Sequence, residues 1–459
     1  MNNAIVWFRH DLRITNNAAL YKAAQNNHVI AIYVEATEQR KLHYDSTQKI
    51  GLLFDSLIKL KESLEEYNIP LSIITVDYYS DIPEQILQLA KKYNATSLWF
   101  NREYLINELA RDSKVEKLLL QENVKVHPCD CDLILEPNSV KKNDGTAYKV
   151  FTPYKKAWIK TYQQIQPNGY PKPNKQSFSM LSFQYEHHDF SENYRKDLWP
   201  AGEYEAKKRL RKFSGKIESY KDLRDIPSKP NTSMLSPYLA IGTISALECV
   251  HAIFDIYHAD EEKIYKDTWL SELIWREFYR QIIIDNPHLA QHKPFKPQAK
   301  EPWENNHHIF EAWKNGQTGF PLVDAAMRQL KQTGWMHNRL RMNTAMFLSK
   351  LCFIDWRWGE KYFMESLIDG DFYSNNGGWQ WCSSTGADSA PYFRIMNPTT
   401  QSERFDKDGD FIRLFVPELS ELNNKSIHNP SPMQRKECNY PMPIINYNEA
   451  RKKSIEMLA

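Results

Sequence analysis

Two periodicities divide this 459-residue chain, and the point where one replaces the other is its strongest constraint on fold. From Ile5 to about Cys131, short β-branched or aromatic runs at 5–8, 28–34, 71–76, 97–100 and 124–127 alternate with amphipathic stretches, clearest at 48–66 and 103–121. That alternation predicts a Rossmann-like α/β domain, a parallel sheet covered by helices on both faces. From about Ala201 onward the apolar positions recur with a period near 3.6, which predicts a mostly α-helical second domain. Between them lies sequence rich in Pro, Asn, Lys and Ser (PNSVKKNDG, QPNGYPKPNKQSF) with one helical piece around 153–165. It reads as a long connector without a core of its own. The expected organisation is therefore 1–132, 133–200 and 201–459, in keeping with a length beyond what one core usually serves.

Several classes are excluded at once. Gly51 is the only glycine before Gly145, so the turn after the first strand lacks the Gly-x-Gly-x-x-Gly that cradles a dinucleotide phosphate, and the α/β part should not bind FAD or NAD in the usual way. The six cysteines are scattered, and Cys129-x-Cys131 has neither finger spacing nor a second ligand pair, so reduced thiols and no metal site are expected. The doublets His187-His188 and His307-His308 fall in polar, loop-like sequence and read as solvated. No apolar run approaches the roughly eighteen residues of a membrane span, and Met1 leads straight into Ile5-Val6-Trp7-Phe8 without a signal-like segment, which predicts a cytoplasmic protein. With 59 Lys and Arg against 57 Asp and Glu, the net charge is +2. Any surface for a polyanion must then be a local patch.

Nine of the thirteen tryptophans fall between Trp269 and Trp381, interleaved with Glu272, Arg276, Asn338, Arg339, Arg341, Asp369, Asp371 and Asn375. A core filled with indole is the plain reading, but so many charged and amide groups are costly to bury without partners. A pocket for a large polar aromatic ligand accounts for both residue types. Trp269, Glu272, Trp275, Arg276 and Tyr279 share one helical face, while Asn338 and Met342 stand i, i+4 on another helix with Arg339 and Arg341 turned elsewhere. The carboxylates of Asp369-Gly370-Asp371 suit sugar hydroxyls or an arginine, and Gly377-Gly378 lets a flat ring approach the backbone. Thr232-Ser233-Met234-Leu235-Ser236 reads as a hydroxyl-rich segment before a helix, either an ordinary cap or a phosphate-binding N-terminus.

Taken together, VWFRHDLR, YKVFTPYKKAW, TSMLSPYLAIG, WLSELIWREFYR, TGWMHNRLRM, LIDGDFYSNNGGWQW and PYFRIMNPTTQ resemble, in order and over nearly the whole chain, the photolyase/cryptochrome family. The resemblance implies an FAD held in the helical domain, active in its reduced form, and a DNA-lesion cavity opening onto it. Position by position it implies FAD contacts from Tyr220, Thr232, Ser233, Leu235, Ser236, Trp269, Arg276, Asp369, Asp371 and Asn375, with Asn375 facing the flavin N5. It implies a lesion pocket from Glu272, Trp275, Asn338, Met342 and Trp381, with Glu272 also acting where charge develops, and phosphate contacts from Arg224, Arg339 and Arg394. Trp379, Trp356 and Trp303 resemble the family's electron-transfer chain. Within the family, Asn375 and the pocket residues match the bacterial class I branch that repairs cyclobutane pyrimidine dimers in UV-damaged DNA, acting as a monomer without an obligatory protein partner and associated with the nucleoid when bound to DNA. The alternative is a cryptochrome-type blue-light receptor. The segment Asn107-Glu108-Leu109-Ala110-Arg111-Asp112 resembles an antenna site in which Glu108, with His43 as a second contact, holds methenyltetrahydrofolate. Ala290 and Gln291 depart from the Cys-Lys pair of one folate-binding relative, leaving a deazaflavin or no antenna as alternatives.

Overall fold

A computed structural model describes residues 2–177 and 194–459, so His187-His188 lies outside the described residues. The backbone gathers into two compact units. The first comprises Met1–Gly215 with Ser233–Ala290, and the second Lys216–Thr232 with Gln291–Ala459.

In the first unit, β1 (Asn2–Phe8), β2 (Asn27–Ala36), β3 (Leu71–Val76), β4 (Ala95–Asn101) and β5 (Lys125–Cys129) form one parallel sheet in the order β3-β2-β1-β4-β5. β1 is buried continuously from Ala4 to Phe8 because helices cover both faces, the mark of a parallel sheet between two layers. The helices Thr47–Glu65 and Ile106–Gln121 lie where the amphipathic pattern placed them. The order reverses at β1, which pairs with β2 on one side and β4 on the other. Chain leaving the carboxyl ends of β1 and β4 therefore diverges, opening the crevice where such folds bind ligands. Asn101 ties that edge together, its Nδ2 donating to Asp11 Oδ2 at 2.6 Å and to Asn17 Oδ1 at 2.8 Å.

The same unit holds the helices Phe151–Ile165 and Thr268–Asp285. Fully buried Trp158 stacks on Tyr162, with centroids 5.1 Å apart, and donates its indole N–H to Glu277 Oε1 at 2.9 Å. Glu277 also accepts the backbone N–H groups of Ile134 and Leu135 at 2.7 and 3.0 Å, which anchors that stretch of chain.

The second unit is helical. Its core gathers Trp313, Met327, Leu330, Met336, Phe347, Trp356, Phe363 and Trp379 from the helices His307–Lys314, Pro321–Thr333, Asn338–Met346, Trp356–Ser366 and Phe372–Ser383. His307 and His308 are exposed, as expected, but open a helix that Asn306 caps, accepting from their turn at 2.9 and 3.2 Å. Gly359 is required by packing, since a Cβ there would sit 2.1 Å from the Trp379 ring. Among the described residues no helix is long and apolar enough to cross a membrane, and no group of three or more His, Cys, Asp or Glu could hold a metal ion.

Candidate active site

On the helix Thr268–Asp285, Asp267 caps the start by accepting from Leu270 N–H at 2.8 Å. The face expected from spacing is partly open: Glu272, Trp275, Arg276 and Tyr279 are half-buried, whereas Trp269 is buried against Phe213 with centroids 4.7 Å apart. Trp275 lies flat on Phe151, centroids 3.8 Å apart and planes 8° from parallel, and also meets Phe278 and Tyr279 at 5.5 Å each, which fixes the indole. Arg276 donates to Asp132 Oδ1 at 2.6 Å, and Arg280 donates to Asp132 Oδ2 at 2.7 Å. Burial alone would raise the Asp132 pKa, but the two guanidinium groups hold it well below the ordinary carboxylate range.

Upstream, the helix Ser236–Ile241 begins after Leu235, whose side chain has no acceptor. The ordinary-cap reading of the hydroxyls is thereby corrected: Ser233 Oγ accepts from Leu235 N–H at 3.4 Å and so shapes the loop, in which Met234 takes φ +53°, instead of capping the helix.

In the second unit, Tyr220 is buried beneath the Arg224 guanidinium, 5.3 Å from its ring centroid. Arg339 donates to Asp225 Oδ2 at 2.5 Å and lies 4.4 Å over the Phe405 ring. Asn338 is exposed at the first position of its helix, capped by His337 Nδ1, which accepts from Arg339 N–H at 3.2 Å. Burial pushes the His337 pKa down to about 4, keeping the imidazole a neutral acceptor. Arg341 turns inward and donates to both oxygens of Asp369, at 3.0 and 2.7 Å. Of the two partners foreseen for Asp369, the arginine is the one it meets. Asp371 caps the helix Phe372–Ser383 by accepting from Ser374 N–H and Oγ at 3.1 and 2.6 Å.

Asn375 donates Nδ2–H to the Glu360 carbonyl at 2.9 Å, which fixes its amide and turns the acceptor oxygen away from that bond. Glu360 is buried, accepting from Asn376 at 2.8 Å and pairing with His292 at 2.9 Å, and that bond raises the His292 pKa. Beside them, a Cβ on Gly378 would meet nothing within 4 Å, so the helix surface there has room for a flat ring. Met342 and Trp381 are half-buried on neighbouring helices, linked by a Cys382 Sγ to Met342 carbonyl contact of 3.8 Å. Exposed Arg394 lies 5.7 Å over the Trp381 ring.

Trp379 and Trp356 are buried and Trp303 is half-buried. Trp379 lies against Gly359, one turn along the helix that Trp356 opens, and Trp356 and Trp303 both donate to Glu301 Oε1, at 3.2 and 3.4 Å.

Sequence reasoning missed Glu301, Glu360 and Lys350. Lys350, fully buried on the π-helical turn Phe347–Leu351, donates to the carbonyls of Pro391 and Arg394 at 3.1 Å each and so supports the loop carrying exposed Tyr392 and Phe393. Burial lowers its pKa to about 8. A lone lysine in an apolar run was the available signal.

At the sheet's carboxyl edge, in the first unit, Glu108 and His43 come together as expected. His43 Nδ1 lies 3.9 Å from Glu108 Oε1, which also accepts from Tyr79 Oη at 3.2 Å. Glu108 is buried and its Oε2 has no partner among the described residues. Asn107 Nδ2 reaches His43 Nε2 at 3.1 Å, and Arg111 lies 4.7 Å over both the Trp7 and Tyr79 rings.

The comparisons agree with this architecture. Residues 4–174 match the family model described as DNA photolyase, and residues 269–459 match the FAD binding domain of DNA photolyase. The chain is 41% identical to the deoxyribodipyrimidine photo-lyase of Escherichia coli strain K12, covering 98% of this chain and 97% of that one. Its fold is similar to a bacterial class III photolyase from Agrobacterium tumefaciens, with TM-score 0.88, 33% identity and coverage of 100% and 97%. It is also similar to a Synechocystis cryptochrome, with TM-score 0.85, 27% identity and coverage of 100% and 99%. The chain belongs to the DNA photolyase family.

Proposed function

We propose that this protein is a bacterial-type class I enzyme that repairs cyclobutane pyrimidine dimers in UV-damaged DNA, using light. The observation that carries the reading is the 41% identity to a deoxyribodipyrimidine photo-lyase along almost the full length of both chains. Likeness to the cryptochrome is lower, at 27%, which favours repair over signalling.

The residues fit FAD. Gly378 leaves space that a side chain would fill, and the chain carries the family's FAD-binding domain. Tyr220, Thr232, Ser233, Leu235, Ser236, Trp269, Arg276, Asp369, Asp371 and Asn375 would hold it. Reduced FAD, when bound, supplies on illumination the electron that opens the dimer ring. Asn375, whose amide is fixed by its bond to the Glu360 carbonyl, would offer its remaining oxygen as a preset acceptor to the flavin. Arg341 orients Asp369 by donating to both of its oxygens. Photolyases act on nucleotides taken out of the stack. Trp275, stiffened by Phe151, and Trp381 offer flat faces to the lesion, Met342 a polarisable filler, and Glu272 and Asn338 polar groups for its edges. A carboxyl at Glu272 offers a group that can exchange a proton with the lesion where negative charge develops. Arg224, Arg339 and Arg394 take phosphates, for which a planar guanidinium is well shaped.

By function, residues 1–132 serve the antenna, 133–200 connect, and 201–459 bind flavin and lesion. Methenyltetrahydrofolate at Glu108 and His43 is the antenna we favour, because the unpartnered Glu108 Oε2 is a buried acceptor suited to a ring N–H. A deazaflavin or no antenna is the alternative. The enzyme works as a cytoplasmic monomer on the bacterial nucleoid. The test is incubation of dimer-containing oligonucleotide with reduced protein, lit and dark: repair in the lit sample alone supports the reading, and equal outcomes refute it.

A further inference from the structure

Trp356 and Trp303 share a single carboxylate oxygen, a contact that the roles given above do not use. Glu301 Oε1 accepts both indole N–H groups and also pairs with Arg357 Nη1 at 2.8 Å. Arg357 lies over the Trp356 ring, 4.6 Å from its centroid, with Asp355 at 3.0 Å and its Nε–H donated to the His292 carbonyl at 2.7 Å. Partial burial works to raise the Glu301 pKa, but the bonds from Arg357, Trp356 and Trp303 outweigh it, so the residue stays ionised into the acid range.

These charges distinguish the two indoles once one of them is oxidised. A guanidinium over a neutral indole is attracted to the ring face. If that ring loses an electron it becomes positive, and the same guanidinium repels it. Among the described residues no guanidinium lies over the Trp303 ring, which has the carboxylate alone, and Trp303 is half-buried where Trp356 is fully buried, so water also stabilises charge there. Glu301 thus favours positive charge on either indole, and Arg357 makes Trp356 the less favourable of the two.

We propose that Glu301 and Arg357 are positioning residues for an electron vacancy: Glu301 holds it on the outer two indoles, Trp356 and Trp303, and Arg357 turns it toward Trp303. The proposal rests on the reading of Trp379, Trp356 and Trp303 as an electron path. One electron passes from Trp303 to Trp356, replacing the one Trp356 has given to Trp379. The oxidant at the inner end is of the light-excited oxidised-flavin class. Trp303 is oxidised by one electron to the indole radical cation, and no bond forms or breaks in the electron-transfer step itself.

The test is flash excitation of the flavin-loaded full chain without added reductant, following the indole radical-cation absorption in wild type, Glu301→Gln and Trp303→Phe. Glutamine keeps an acceptor oxygen but removes the charge. The expected result is a radical at least about five-fold shorter-lived in Glu301→Gln, the smallest effect that losing a unit charge at that range has even at the dielectric of water, and no long-lived radical in Trp303→Phe. A second readout needs no substitution. Acidifying wild type through the Glu301 pKa should shorten the radical toward the Glu301→Gln value, and the variant, which keeps Asp355 beside Arg357, should lack the part of the dependence that Glu301 supplies. Arg357 does not titrate in that range, and His292, its pKa raised by Glu360, is already cationic there. In NMR spectra of the full chain, the Nε1–H signals of Trp303 and Trp356 should both move in Glu301→Gln. An unchanged lifetime in Glu301→Gln, with Trp303→Phe still abolishing the long-lived radical, would overturn the role of Glu301 and leave the path intact. A long-lived radical surviving in Trp303→Phe would overturn the path and this proposal with it.

Discussion

Replacing Arg339 by alanine separates electrostatic from shape-based recognition, because the structure shows the competition this cation must win. Its Nη2 lies 2.5 Å from Asp225 Oδ2, with the Arg339 side chain 20% exposed and that of Asp225 36% exposed. An ion pair at that exposure contributes only ~0.2–1 kcal/mol, so a phosphate presenting the same geometry can displace the carboxylate. If Arg339 contacts one phosphate, its loss lowers the magnitude of the log–log salt slope by about 0.9. Between 50 and 200 mM salt, that single contact makes wild type lose about 3- to 4-fold more affinity than Arg339→Ala. Asp225→Asn should act oppositely, tightening binding by about 1.4- to 5-fold as the competing pair is removed. In the double variant the gain from Asp225→Asn should vanish, since the two side chains act on each other. Anisotropy titrations of labelled duplex, with and without a dimer, at several salt concentrations would read all of this. An unchanged slope in Arg339→Ala, or an effect confined to damaged DNA, would refute the phosphate role.

Trp275→Ala should erode the preference for dimer over undamaged duplex by roughly 1–3 kcal/mol with the salt slope unchanged, as base-aromatic contacts do; the same titrations check it. Gly359→Ala should lower stability by about 1–3 kcal/mol, because its Cβ would collide with the Trp379 ring at 2.1 Å, measurable as a lower denaturant midpoint. His337 has its pKa lowered by burial to about 4, below its unfolded value of about 6.5, so its stabilising contribution is complete above pH 6.5 and lost as pH falls from there toward 4. The slope is about 1.4 kcal/mol per pH unit. His337→Asn, which keeps a capping acceptor, should flatten that part of the stability profile measured by denaturant unfolding.

The fold was legible because its signals are local. Runs such as Ile5-Val6-Trp7-Phe8 and Ile30-Ala31-Ile32-Tyr33-Val34 are continuously apolar, as strands buried on both faces must be, and each lies within an observed strand. The half-buried face of Glu272, Trp275, Arg276 and Tyr279 followed from helical spacing alone. What did not follow was pairing across long stretches of chain. Asp132 lies 144 residues from Arg276, and Asp225 lies 114 from Arg339, so no pattern in the sequence marks them as partners. Glu301 was passed over because a glutamate two residues before a tryptophan in Lys-Glu-Pro-Trp looks like ordinary solvated sequence. Its meaning appears only when Trp356 arrives from another helix. The hydroxyls near Ser233 were misjudged for a related reason: composition marks a helix start, but which residue becomes the N-cap is decided by the loop, and here it is Leu235.

Single-turnover flash photolysis on reduced, dimer-loaded protein decides whether this chain repairs by electron transfer, because the reaction is redox-neutral and consumes only light. Each productive flash should restore pyrimidine absorbance while the flavin spectrum returns to its reduced form, and neither change should occur in the dark. Flashes that leave the flavin oxidised with the dimer intact, or that leave both unchanged, would contradict it.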